Sequence, residues 1–166
     1  MNIHAANSEV ETPSAIVAGE LPETDGQAKY LLFAVAGENY ALPIGNLLEV
    51  DQPPVVTPLP RGPHWLAGVT NLRGEIISVI DCRAWFGLAR QVHDQRRLCV
   101  VATRERDLTT GLLVDQVAGM IYLAASQLHA PSEPPAPFLS ALAEHEGRTL
   151  KVLDAESLLR SLDTDY

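Results

Sequence analysis

With 166 residues, 46% of them hydrophobic, the chain is long enough for one domain or for two small lobes sharing a core. Its 12 Lys+Arg against 21 Asp+Glu give a formal net charge of -9, which repels phosphate backbones and anionic lipid headgroups; with no basic patch to compensate, no nucleic-acid partner and no direct membrane insertion are expected. Two cysteines, Cys82 and Cys99, both in apolar settings, exclude a disulfide framework, and the start lacks the basic-then-apolar pattern of a secretory signal, so a cytoplasmic protein is expected.

Residues 1–28 mix Glu9, Glu11, Pro13, Glu20, Pro22, Glu23, Asp25 and Gly26 with few large apolar groups, so a disordered acidic tail is predicted there. Order is expected from Tyr30, where a β-rich run ends at Gly37-Glu38-Asn39 and returns through Tyr40-Ala-Leu-Pro as a hairpin. Ile44, Leu47, Leu48 and Val50 predict a short helical or irregular turn with Leu47 and Leu48 inward and Glu49 outward. Pro53, Pro54, Pro58 and Pro60 prevent any long helix beyond it.

A second hairpin follows, Leu66 to Leu72 and Ile76 to Ile80, around Arg73-Gly74-Glu75, whose glycine suits a turn with positive φ. Asp81 is placed to cap a short helix over Cys82-Arg-Ala-Trp-Phe, which Gly87 stops. After a polar linker, Gln91 to Arg97, strands are predicted over Leu98 to Thr103, Gly111 to Val114 and Val117 to Leu123, with turns at Arg104 to Asp107 and at Asp115-Gln116. Pro131-Ser-Glu-Pro-Pro-Ala-Pro reads as a stiff surface crossing. A short helical segment is predicted near Phe138 to Leu142, then a strand Thr149 to Leu153 and a terminal helix capped by Asp154 and carrying Leu158, Leu159 and Leu162.

Val79-Ile80-Asp81 followed by Trp85-Phe86 is echoed 73 positions on by Val152-Leu153-Asp154 followed by Leu158-Leu159, which suggests that strand, Asp cap and short helix occur twice. Short strands, Gly/Pro turns and few long helices predict a mainly β protein built as a pair of small barrels; the gaps between strands are too short for crossover helices.

No catalytic constellation emerges. His4, His64, His93, His129 and His145 are dispersed, with no His-x-x-x-His and no zinc-spaced Cys, so no metal site is predicted. No Gly-x-Ser-x-Gly elbow, Gly-x-Gly-x-x-Gly turn or phosphate loop is present, so no cofactor and no enzyme activity are expected. An oligonucleotide-binding barrel would need a basic groove with aromatic platforms, and only 5% of residues are aromatic. What remains is Trp65 to Arg83, where two apolar strands hold Asn71, Arg73 and Asp81 at turn or strand-end positions. On chemistry alone these residues suit either turn-shaping, capping and solvation or a docking surface.

Gly68 to Arg83 resembles the CheW family signature Gly-Val-x-Asn-Leu-Arg-Gly-x-Ile-x-Pro-Val-x-Asp-Leu-Arg. The resemblance extends through Phe33-Ala-Val-Ala-Gly with Tyr40, Ile44-x-x-Leu-x-Glu-Val, Gly111-Leu-Leu-Val-Asp-x-Val and Leu150-x-Val-Leu-Asp, over roughly residues 29 to 160. It implies a CheW-like domain over 29–164 made of two intertwined five-stranded Src-homology-like β-barrel lobes with short connecting helices, the break between lobes falling near 90–97. It implies a chemotaxis adaptor that couples methyl-accepting chemoreceptor tips, received at a groove between the lobes, to the regulatory domain of a CheA-type histidine kinase in membrane-associated receptor arrays. Trp65 also resembles the pilus-associated branch that steers twitching motility, the alternative output; a ligand-sensing domain is a further alternative. Carried over by motif, Leu47, Glu49, Gly68, Asn71 and Arg73 become partner-contact positions, and Gly74 and Asp81 architectural ones. The chain departs from the family at Ser78 (usually Pro), at Cys82 (usually Leu) and at Leu139 to Leu142, which lacks a usual Gly.

Overall fold

The computed structural model describes residues 26–91, 95–102, 107–131 and 138–162. The tail before Gly26, most of the Pro131 crossing and most of the Arg104 turn lie outside the described residues.

Strands β1 (Gln27–Val35) and β2 (Glu38–Pro43) form the first hairpin, and β1 begins three residues before Tyr30 because Gln27 to Lys29 pair with Tyr122 to Ala124. A single 3-10 turn (Ile44–Asn46) leads to β3 (Leu47–Asp51). The second hairpin is β4 (Leu66–Leu72) and β5 (Glu75–Asp81), followed by helix α1 (Cys82–Trp85), β6 (Arg97–Ala102), β7 (Thr109–Val114) and β8 (Gln116–Ala124). After another 3-10 turn come β9 (Leu128–His129), β10 (Leu139–His145), β11 (Arg148–Leu153) and helix α2 (Ala155–Leu162). The helical segment expected near Phe138 is strand β10: Leu139, Ala141 and Ala143 alternate along it at the period of a strand and pair with β11.

Two sheets result, β8-β1-β2-β11-β10-β9 and β3-β6-β7-β5-β4. Each is closed by one kinked segment that pairs with both edges. β8 pairs with β1, and its continuation β9 pairs with β10. Likewise β3 pairs with β6, and its continuation reaches Thr57, which exchanges backbone hydrogen bonds of 2.8 and 2.9 Å with Val69 of β4. Counting each kinked segment once, both lobes are five-segment barrels of the Src-homology type.

The lobes are intertwined by chain order. One lobe comprises β3 to β7; the other takes β1 and β2 from the start of the chain and β8 to β11 from its end. The crossings therefore fall at the Ile44 turn and at Asp115. Residues 90–97 instead join α1 to β6 inside a single lobe, because the parallel pairing of β5 with β7 requires a connection that leaves the sheet and returns to it.

The 73-residue echo is structural. Hairpin β10–β11 repeats β4–β5, with register shifts at Leu66/Gly68 and Leu139/Ala141 and turns in which Arg73 and Gly74 (φ 53° and 90°) match Glu146 and Gly147 (φ 50° and 73°). In both copies the capping Asp donates its N–H to an aromatic residue's carbonyl, Asp81 to Trp65 at 2.9 Å and Asp154 to Phe138 at 2.8 Å. The Asp81 carboxylate then accepts from the Ala84 N–H, and Asp154 from those of Glu156 and Ser157.

The largest core lies between the lobes, with Leu31, Phe33, Tyr40 and Leu42 of one against Leu47, Ile80, Cys99 and Leu112 of the other. Leu158 and Leu159 of α2 seal it, each worth about 1.5–3 kcal/mol relative to exposure. An aromatic file, Phe33, Tyr40, Phe86, Trp85 and Phe138, crosses the same region at centroid spacings of 5.5, 5.1, 5.6 and 4.6 Å. Trp65 belongs to this core at 3% exposure, so its indole fills space rather than marking a surface.

A charge pair ties the lobes where the chain crosses. The Arg83 guanidinium grips Asp115, Nε at 2.8 Å from both oxygens and Nη2 at 2.7 Å from Oδ2, which also accepts the Ala36 N–H at 2.7 Å. Removing one member of such a sheltered pair leaves the other uncompensated. Asp115→Ala is therefore expected to lower unfolding free energy in urea by about 3 kcal/mol, whereas Arg73→Ala, on an exposed arm, should cost under about 1 kcal/mol.

Burial pushes the Cys99 thiol up to about 12, and pushes Cys82 up too, helped by Cys99, Asp81 and Asp115. The Tyr40 hydroxyl is pushed up to about 12 by burial and then by Glu38 and Cys82. All three groups are neutral in the folded state and ionise more readily unfolded, so their contribution is complete below the ordinary pKa and is lost as pH rises. Stability is expected to stay flat to about pH 9 and to fall between there and about 12, with thiol reagents modifying either cysteine only on unfolding; rapid modification of the native protein at neutral pH would contradict this.

Candidate functional site

The tip of the β4–β5 hairpin is a two-residue turn with positive φ at both Arg73 and Gly74, the type whose twist matches its strands. Asn71 Oδ1 accepts the Gly74 N–H at 2.8 Å and fixes the turn. Gly74 has open space around its α-carbon, so it is required for its φ of 90° rather than for room. Arg73 has no such licence, and a left-handed conformation costs a side-chain-bearing residue roughly 1–2 kcal/mol.

The Arg73 side chain is 76% exposed, and its Nη2 lies 2.8 Å from Oε2 of Glu49, whose side chain is 12% exposed. Glu49 was expected to point outward; it is sheltered, because a register shift between Leu47 and Glu49 leaves Leu47 and Val50 in the core between the lobes and turns Glu49 to the opposite face, under Arg73. Leu48 is consequently the outward residue, at 37% exposure. Glu49 Oε1 is buried and lacks a hydrogen bond among the described residues, so the carboxylate retains acceptor capacity behind the arginine.

Leu47 is wholly buried between the lobes, so it can shape a contact surface only from within. Gly68 is buried as well, with φ 146°, and a β-carbon there would sit 2.1 Å from the Thr57 carbonyl oxygen. The space that Gly68 leaves is thus taken by the chain's own barrel-closing segment, not by a partner. Asn71, Arg73 and Gly74 are exposed, whereas Asp81 is the buried helix cap it was expected to be. The structure therefore joins Glu49, Asn71 and Arg73 at one surface and sets Leu47, Gly68 and Asp81 behind it.

Apolar groups that the sequence did not single out flank this tip. Ile76, across from Asn71, is 65% exposed, and Val55, whose carbonyl accepts from the Thr70 hydroxyl at 2.9 Å, is 92% exposed. Ile76 lies in the apolar run that reads as buried strand; its place beside the turn, on the outward alternation from Ile77, is the signal that separates it. Arg83 and Asp115 were likewise visible only as members of motifs.

Among the described residues no three His, Cys, Asp or Glu side chains converge as metal ligands, and no helix is long and apolar enough to cross a membrane. Fold and site define a two-lobe β protein that presents a charged, apolar-flanked hairpin tip. The chain belongs to the CheW-like domain family, whose model matches residues 29–163. It is 31% identical over 148 residues to the chemotaxis protein CheW of Klebsiella aerogenes, covering 84% of this chain and 85% of that protein. Protein PilI of Pseudomonas aeruginosa is 35% identical over 89 residues, 53% of this chain and 49% of PilI. The crystal structure of the scaffolding protein TtCheW from Thermoanaerobacter tengcongensis superposes with a TM-score of 0.72 at 26% identity, covering 77% of this chain and 89% of that one.

Gly68 and Gly74 are expected to respond differently to the same substitution. Gly74→Ala meets only backbone strain and should cost about 1 kcal/mol; Gly68→Ala adds collision with the Thr57 carbonyl and should cost roughly 3 kcal/mol or more. Equal midpoints in chemical denaturation would contradict the barrel-closing role of Gly68.

Proposed function

We propose that this chain is a non-enzymatic cytoplasmic adaptor that couples methyl-accepting chemoreceptors to a CheA-type histidine kinase within a chemotaxis array. The observation that carries the reading is the Arg73 arm. A left-handed arginine is held at a turn where glycine or asparagine would sit more comfortably, and strain of that kind is kept where it serves a function.

The arm is pre-positioned rather than consumed. Its pairing with Glu49 is solvent-exposed on the arginine side and worth at most about 1 kcal/mol, so a partner carboxylate can recruit the guanidinium with little loss. Ile76, Val55 and Leu48 supply apolar surface for an amphipathic helix, the chemistry that a receptor's helical tip would present. Leu47 and Gly68 would support this surface from inside, while Glu49, Asn71 and Arg73 form its polar part. Individual contacts need only be weak, since an array supplies multivalency.

The test is binding of the full chain to the kinase's regulatory domain and to a receptor cytoplasmic fragment, each measured by surface plasmon resonance. Arg73→Glu is expected to weaken at least one of these by about tenfold or more while leaving the melting midpoint near that of wild type. Failure of the unmodified chain to bind either partner would sink the adaptor reading.

A further inference from the structure

At the base of the β4–β5 hairpin, roughly 20 Å along the strands from Arg73, a cavity of about 340 Å³ opens in the lobe formed by β3 to β7. That is within the range of small-molecule sites, about 300–1,000 Å³. Pro53, Pro54, Val56, Ala67 and Leu113 give it an apolar wall, and Asp81, Arg90 and Arg96 give it a charged side.

Among the described residues the charges there do not balance. Asp81 commits Oδ1 to the cap of α1, leaving Oδ2 to face Arg90 Nε and Arg96 Nη2, each 3.9 Å away. That separation is an ion-pair distance but too long for a hydrogen bond. Two guanidinium groups therefore share one carboxylate oxygen, and among the described residues one positive charge is left over, in a chain of formal net charge -9.

Both arginines are also built in. Arg90 Nη2 donates to the His64 carbonyl and, at 3.4 Å, to that of Leu66, which pins the guanidinium at the rim. The Arg96 side chain is only 13% exposed, yet its guanidinium forms no hydrogen bond to the described residues. Guanidinium groups held only at ion-pair distance from a shared carboxylate oxygen can take up an anion entering the cavity.

We propose that this cavity binds a small organic monocarboxylate, its carboxylate bridging Arg96 and Arg90 and its short apolar body lying against the Pro53, Ala67 and Leu113 wall. One surplus positive charge suits a monoanion, whereas Asp81 opposes a dianion and the apolar wall would gain nothing from inorganic phosphate. Because the wall includes the connection between β3 and β4, the ligand would tether the segment that follows Glu49 to the hairpin base.

The test is titration of the full chain with pentanoate, with its neutral isostere pentanamide and with inorganic phosphate, all at constant ionic strength, following the methyl resonances of Ala67 and Leu113. Pentanoate is expected to shift both saturably with a dissociation constant on the order of 1 mM, with pentanamide and phosphate about tenfold weaker or worse. Arg96→Gln should weaken pentanoate about tenfold, and Arg90→Gln, at the more exposed rim, serves the same purpose if the first variant does not fold. Arg73→Glu should leave the titration unchanged, which separates this site from the docking surface. No saturable shift with pentanoate, or equal binding of pentanamide or phosphate, would overturn the assignment.

Discussion

Asp115 is held from three sides at once, and the two-lobe architecture depends on that grip. Its carboxylate takes the Arg83 guanidinium from α1 and the Ala36 N–H from the β1–β2 turn, while its own N–H reaches the Ala34 carbonyl at 3.1 Å. Two distant stretches of chain, α1 and the end of β1 with its turn, meet at Asp115, at the point where the backbone passes between lobes. The surrounding apolar contact is larger in area but non-directional, whereas the charge pair fixes register. The Arg83 side chain keeps only 16% of its exposure, so water screens the interaction weakly.

With the lobes locked, the hairpin tip acquires a rigid base. Arg73 stands on a turn fixed by Asn71, on strands fixed by the Thr57 bridge, in a barrel fixed to its neighbour through Asp115. Binding surfaces that are ordered in advance lose less freedom on association. The strain at Arg73 is small beside the cooperative structure that imposes it, which is how an unfavourable φ can persist in an exposed residue.

Much of this was legible in the residues. Asp81 and Asp154 announced helix starts because a carboxylate after an apolar strand has few other local uses, and Arg73-Gly74 announced a turn through the glycine. Glu49 was misread because Leu47, Leu48 and Val50 satisfy helical and extended spacing about equally, and only pairing with β6 decides between them. Gly68 was legible only as a motif position, because the atom that excludes a side chain there belongs to Thr57, eleven positions back in sequence and brought close by barrel closure. Strand β10 was hidden by its alanines, although the 73-residue echo places Leu139 and Ala141 over Leu66 and Gly68 of β4, a stronger signal than local propensity. The Ala at 141 also shows what the second copy gave up: without a glycine its register shift has a different shape, and its tip carries Glu146 where the first carries Arg73.

The interleaving of the chain has a temporal consequence. β3 to β7 form an uninterrupted stretch whose every neighbour is present once Val114 has been synthesised. The other barrel cannot close until β11 exists, because β2 must wait for Leu150 to Val152 and β1 for Gln116 to Ala124. On the ribosome the β1–β2 hairpin therefore emerges ahead of the β3 to β7 lobe yet is completed after it, its open edge waiting until β11 arrives to cover it.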